Sequence, residues 1–456
     1  MRNRLSSRVP GSLAGKRIFS GQPKSDSETR YCISSRLSSQ VLSPSVGKKN
    51  LNKKERRYLI KKYGLLKPNN PIKNNAMTSL ALYIHWPFCA SKCPYCDFNS
   101  HVRNQIDIDA WRHAYIKELQ RHYDLVGKRR ISSIFFGGGT PSLMPPTLVQ
   151  DILNEVSTWW SIDPTIEITL EANPNSVEVN NFRALAAAGI NRVSIGIQSL
   201  RQDDLTFLGR LHSVEEGIHA IETAQQCFKR ISFDLIYARP HQALDAWQAE
   251  LSQALAFGTE HLSLYQLTIE PGTAFATRHA RGDFVLPDED LAADLYNLTT
   301  DLTLSHGLRG YEISNYAQPG CESHHNLAYW RYQDYAGIGP GAHGRLTLNG
   351  IGHATKQYRA PETWLRQVVE EGNGFDELSQ LSAQEQASEM LLMGLRLTHP
   401  FDLNRLPCPI DQVLDMNGIE RLVKANLITY DGNKLQVSPH GRLCLNEVLR
   451  IIRRPS

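Results

Sequence analysis

HWPFCASKCPYCDF, residues 85–98, sets three cysteines within eight residues, directly after the apolar run Leu80–His85 that reads as a strand. Soft thiolates at this density suit zinc or an iron–sulfur cluster. A structural zinc site wants four ligands, often as two separated CxxC pairs, and no second pair exists in the chain. Cys89, Cys93 and Cys96, spaced CxxxCxxC, instead suit three corners of a [4Fe–4S] cubane. The fourth iron is then left open, which is useful only if something must bind it.

Outward from this segment, short β-branched runs alternate with amphipathic stretches. Strands are expected at Leu80–His85, Ser132–Phe136, Glu167–Leu170, Arg192–Ile197, Ser232–Ile236 and His261–Leu267. Helices are expected at 109–123, 147–160, 178–188, 202–208 with 214–228, and 244–257. Crossovers of this length imply parallel strands with right-handed connections, and so an α/β fold. Six units make either an open doubly wound sheet or an incomplete barrel. Polar and Gly-rich residues follow the strand ends, at the rim where barrel enzymes place their chemistry. Residues 270–375 are less regular. From Leu381, LSAQEQASEMLLMGLRL reads as a helix, and LITYDGNKLQVS as a hairpin turning at Asp431-Gly432, together a winged-helix-like α+β module. The expected domains are therefore 77–310, 311–374 and 375–456, preceded by a separate segment, 1–76.

That first segment carries 18 Lys/Arg against 3 Asp/Glu, whereas the remaining 380 residues carry 32 against 43. The acidic body gives no sign of a nucleic-acid partner. Segment 1–76 reads either as a disordered extension or as a mitochondrial transit peptide, which shares its Arg/Ser-rich, acid-poor bias. The expected location is cytoplasmic in the first case and mitochondrial in the second. No run of about 18 apolar residues suggests a membrane span. The other cysteines (Cys32, Cys227, Cys321, Cys408, Cys444) are scattered and describe no disulfide scaffold.

The CxxxCxxC segment, followed after the second strand by Gly137-Gly138-Gly139-Thr140-Pro141, resembles the radical S-adenosylmethionine (SAM) superfamily. That resemblance implies a partial (β/α)6 barrel, with S-adenosylmethionine chelating the open iron and an electron from the cluster cleaving its sulfonium to give a 5′-deoxyadenosyl radical. From Leu80 to the C-terminus the chain resembles the oxygen-independent coproporphyrinogen III oxidase family. By that resemblance the cofactor contacts are Tyr83, Tyr95, Gly138, Gly139, Thr140, Glu171, Gln198, Arg210 and Asp234. Glu171 is placed to meet ribose hydroxyls, and Arg210 to pair with the cofactor carboxylate.

Two features bear on the branch. The oxidases carry a further cysteine two residues after the triad, where this chain has Phe98. His325-Asn326-Leu327-Ala328-Tyr329-Trp330 resembles the HNxxYW pattern of a heme-chaperone branch, implied to bind heme and deliver it to heme-dependent membrane proteins. A homodimer is compatible with that branch. Without the resemblance, this segment is a histidine and two aromatics buried under an irregular loop. With it, His325 is the expected heme contact, a neutral imidazole being a competent axial ligand, and His324 and Cys321 are neighbouring candidates. The alternative function is oxidative decarboxylation of coproporphyrinogen III, so enzymatic activity stays open at this point. One departure from the family pattern is Arg239 in LIYARPHQ, expected to add charge and bulk at the cofactor rim.

Overall fold

The computed structural model of the chain describes residues 79–454. The expectations for segment 1–76 lie outside the described residues. The six expected strands are β1 (Ser79–Trp86), β2 (Arg130–Gly138), β3 (Ser161–Ala172), β4 (Arg192–Gln198), β5 (Arg230–Tyr237) and β6 (His261–Gln266). They pair in chain order, all parallel. A doubly wound sheet would reverse its order at a switch point. This one does not, and the barrel alternative is the one that forms.

The winding follows from strands that are buried on both faces. Leu80, Leu82 and Ile84 of β1, Ile134 and Phe136 of β2, and Val193, Ile195 and Ile197 of β4 join one apolar core with the surrounding helices. Their alternates face the other way, as period 2 requires: Tyr83 and His85, Ser133 and Phe135, Arg192 and Ser194. Among the helices on the apolar side is α1 (Ile108–Val126), begun by the Asp107 side chain, which accepts from the Ala110 amide. Also there is α2 (Leu244–Leu255), which buries Trp247 and Leu251.

The stretch that reads as irregular extends the sheet at both edges. Beyond β6 lie β7 (Arg309–Gly310) and β8 (Asn315–Ala317), with β8 antiparallel to β6. Beyond β1, β9 (Tyr335–Ile338) pairs parallel to it and leads into an antiparallel series, β10 (His343–Leu348), β11 (Ile351–Gln357) and β12 (Phe375–Gln380). Among the described residues β1 and β6 do not meet, so the barrel is open. Between β8 and β9 lies the short helix α3 (His324–Trp330).

The C-terminal module begins with α4 (Ala383–Gly394). It holds a small antiparallel sheet of β13 (Phe401–Asp402), β14 (Ile428–Tyr430) and β15 (Lys434–Val437), with the expected turn at Asp431-Gly432. Leu391, Ile419, Leu422, Leu435 and Val448 form a second core, which Ile313 joins from outside the module. Polar contacts complete the joint. Arg345 of β10 makes a two-pronged contact to Glu389 of α4 at 2.8 and 2.7 Å, and the Tyr332 hydroxyl donates to the same carboxylate at 2.6 Å. The Arg396 guanidinium lies 4.7 Å from the Trp330 ring centre.

Arg345 and Glu389 are both nearly buried, so removing one strands the other's charge. Glu389→Ala is expected to cost about 3–5 kcal/mol, read as a lowered urea midpoint. A loss below about 1 kcal/mol would mean that the joint is solvated and weak.

Candidate functional site

The C-terminal ends of β2 to β5 and the cysteine loop surround a cleft with about 630 Å³ of empty space. Cys89, Cys93, Cys96, Tyr95, Gly138, Gly139, Thr140, Glu171, Gln198, Arg210 and Asp234 all line it. Eleven residues spread over some 145 positions of sequence thus converge, most of them from strand ends or the loops that follow, and Asp234 from within β5.

The glycine segment docks against the cysteine loop by its backbone. The Gly139 amide donates to Trp86 O at 2.7 Å and the Thr140 amide to Phe88 O at 2.8 Å. A Cβ at Gly139 would stand 2.7 Å from Phe88 O and 3.0 Å from Cys89 Sγ, so only glycine permits this approach. Gly138, at φ +116, has the His85 ring where a Cβ would go. Its amide donates to the Glu171 carboxylate at 3.1 Å, and Ser194 donates to Asp234 at 3.2 Å.

Gln198 ends β4 at φ 72, an uncommon conformation for a residue with a side chain. It is 2% exposed, and its Oε1 has no hydrogen-bond partner among the described residues. A buried orphan acceptor on a cleft wall fits a ligand that brings a donor. Burial pushes the Cys89 thiol up to about 11, opposed by the Thr140 hydrogen bond and reinforced by Cys96 and Cys93. It therefore keeps its proton until a metal displaces it. No three His, Cys, Asp or Glu side chains among the described residues are placed to hold a single metal ion. Three thiols on one cleft are a soft donor set of the kind that holds an iron–sulfur cluster. Beside the cleft a second hollow of about 450 Å³ shares Tyr95, Cys96 and Phe98, and is walled by Ile236, Tyr265 and Leu267.

Comparison with known proteins identifies the family. The radical SAM superfamily profile matches residues 83–251, and the HemN C-terminal domain matches residues 381–444. The heme chaperone HemW of Haemophilus influenzae is 37% identical over 383 residues, 82% of this chain and 97% of that one. The HemW of Escherichia coli is 34% identical with the same coverage. The chain belongs to the HemW-like family of radical SAM proteins. A further relative, radical S-adenosyl methionine domain-containing protein 1, mitochondrial, of Bos taurus, is 40% identical over 69% of this chain and 73% of its own. The solved structure of Escherichia coli coproporphyrinogen III oxidase (HemN) superposes with a TM-score of 0.70 at 20% identity, over 83% of this chain and 91% of that one. That likeness is one of fold. Membership of the radical SAM superfamily implies a [4Fe–4S] cluster and S-adenosylmethionine.

Three residues singled out in the sequence of this HemW-like chain stand away from the cleft lining. Tyr83 is not among the residues that line the cleft. It is buried, with its hydroxyl 3.0 Å from His85 Nδ1, and its ring lies where a Cβ on Gly137 would go.

His325 is not presented to a ligand either. It lies in the first turn of α3 and is fully buried beneath the barrel. Nδ1 lies 2.9 Å from Ser133 Oγ, Nε2 lies 3.0 Å from the Tyr329 hydroxyl, and the ring stacks on Phe135 at 5.0 Å. Its backbone amide donates to Glu167, which Arg230 holds at 2.8 Å. Neither ring nitrogen is open to iron in this conformation. The HNxxYW segment acts here as a floor under the barrel, with Trp330 against the C-terminal module.

Arg239 turns away from the cofactor rim. It is 1% exposed and donates to Ser199 Oγ at 2.6 Å and to the Glu250 carboxylate of α2, with Asp204 at 3.2 Å. Its charge ties a loop to an outer helix and adds nothing to the cleft. Conversely, Asn173 and Ser194 line the cleft without having been singled out. Period 2 was the available signal for Ser194, four residues before Gln198 on β4, whereas Asn173 lies just past the end of β3, two residues after Glu171.

Burial lowers His325 from 6.5 to about 3 and His85 from 6.5 to about 4. The unfolded chain takes up these protons below about pH 6.5 while the folded chain refuses them. Their contribution to stability is complete above that pH and is lost progressively as the pH falls toward the folded values. The melting temperature is therefore expected to drop between about pH 7 and pH 5.5. A flat or rising profile over that range would contradict the neutral, buried assignment.

Proposed function

We propose that this chain is a heme carrier: it binds heme and passes it to heme-dependent membrane proteins, on a scaffold that also holds a [4Fe–4S] cluster and S-adenosylmethionine. The observation that carries this is the identity to proteins named heme chaperone HemW over nearly their whole length. Phe98 supports it, standing on the cleft wall where the resembling oxidases carry a further cysteine.

In this proposal Cys89, Cys93 and Cys96 hold the cluster. Arg210 meets the carboxylate of the methionine moiety, and Glu171 and Asp234 are within the same cleft for the ribose hydroxyls. Gln198 Oε1 accepts from a ligand N–H or O–H. The flat adenine suits the second hollow, whose Ile236, Leu267 and Tyr265 offer apolar and aromatic surface. When bound, the cluster supplies single electrons, and S-adenosylmethionine supplies a sulfonium that such an electron cleaves. The chain's own part is to orient both and to exclude water with the glycine segment and Phe98.

Anaerobic cluster reconstitution followed by an absorbance titration with heme tests the carrier reading. Stoichiometric heme binding is expected, with iron uptake lost in Cys93→Ser. A reconstituted chain that ignores heme sinks the idea, and anaerobic conversion of coproporphyrinogen III to protoporphyrinogen would put the oxidase in its place. In the same series, His325→Ala is expected to lower the melting temperature and leave heme affinity intact. Lost affinity at an unchanged melting temperature would restore His325 as a ligand.

The names of the Bos taurus, Mus musculus and Danio rerio relatives include the word mitochondrial. Together with the 18 Lys/Arg against 3 acids in segment 1–76, this supports a mitochondrial address for the chain. Segment 1–76 fused to a fluorescent reporter should enter isolated, energised mitochondria and become protease-protected. A reporter left outside refutes the address.

A further inference from the structure

Asn173 stands on the segment that leaves β3, its backbone amide pinned by the Glu178 carboxylate at 2.8 Å. Its side chain is used at both ends. Arg210 Nη2 donates to Asn173 Oδ1 at 2.6 Å, and Asn173 Nδ2 donates to Thr140 Oγ1 at 3.1 Å. Thr140 Oγ1 lies 3.3 Å from Cys89 Sγ, and Arg210 Nη1 lies 3.4 Å from Cys93 Sγ. Three side chains thus join two of the cleft thiols through an unbroken line of hydrogen bonds.

The polarity of that line is forced. A guanidinium only donates, so the end of Asn173 facing Arg210 is its oxygen. Flipping the amide would set two donors face to face. The nitrogen therefore faces Thr140, whose oxygen accepts, and the one hydroxyl proton of Thr140 is left for Cys89 sulfur. Both terminal donors aim at sulfur, and Asn173 is the only member that touches neither thiol.

We infer that Asn173 is a positioning residue that, through Thr140 and Arg210, holds donors on two of the three cluster sulfurs and thereby raises the cluster's reduction potential. This rests on the proposed assignment of the cluster to Cys89, Cys93 and Cys96. Hydrogen bonds to ligand sulfur stabilise the more negative, reduced cluster, and groups one shell out fix their geometry. Loss of Asn173 frees both donors to turn to water or to Gly196 O, which Arg210 already contacts at 2.8 Å.

The test is a dithionite potentiometric titration of the reconstituted chain, read by electron paramagnetic resonance, for wild type, Asn173→Leu, Thr140→Val, Thr140→Ser and the Asn173→Leu/Thr140→Val double variant. Thr140→Ser keeps the hydroxyl and should match wild type. Thr140→Val should shift the potential negative and Asn173→Leu should shift it further. The double variant should go no further than Asn173→Leu, because both changes act on one line of bonds. Equal potentials throughout, or shifts that add in the double variant, overturn the inference. If Asn173→Leu takes up no cluster while wild type does, the Thr140→Val and Thr140→Ser pair decides, and equal potentials in that pair overturn it. A wild-type chain that takes up no cluster refutes the cluster assignment itself, and this inference falls with it.

Discussion

A parallel sheet covered on both faces must fill its inner side as well as its outer one, and here the inner side is largely polar. Glu167, Thr169, Arg192, Ser232, His261 and His325 are all buried. None of these groups is tolerable in an apolar interior without partners. Glu167 is held by Arg230 and Arg192 and takes the His325 amide, while His261 lies between Ser232 and the Tyr311 hydroxyl. This need for mutual satisfaction at the lower end fixes α3 in place. At the upper end the same kind of inward-facing group is left turned toward a cleft, as Gln198 Oε1 and the three thiols show.

The division of the barrel into a closed floor and an open mouth accounts for the placing of the cofactor candidates. A residue at or just past a strand end reaches the cleft, as Gly139, Glu171 and Gln198 do. Depth along a strand does not decide alone: Ser194 and Asp234 lie within their strands and still line the cleft, whereas Tyr83, three residues before the end of β1, packs against Gly137. Resemblance of motifs carries no measure of such local packing.

The strands were legible in the sequence because their outward faces are apolar and regular: β4 and β5 are found within two residues at either end. β3 was read six residues short at its start. Ser161–Thr165 is exposed or half-exposed and contains Asp163-Pro164, so it shows no strand periodicity. The cleft was legible through the cysteine spacing and the glycine run, since each departs from what ordinary turns and cores require. The surroundings of His325 and Arg239 were not legible, for one reason. A polar residue in a loop looks the same whether it faces a ligand or a buried partner distant in sequence, such as Ser133 or Glu250. The outer strands β10 to β12 mix polar and apolar residues around tight Gly turns and lack a clean alternation, and β9 is only four residues long.

α3 belongs to two structures at once, roofed by the barrel through His325 and braced from below by Arg396 on Trp330. The superfamily profile stops at residue 251 and the C-terminal profile begins at residue 381. The helix that keys the two halves together falls in the gap, inside neither. A description of this lineage assembled from its two recognised modules would therefore omit the piece that makes them one molecule.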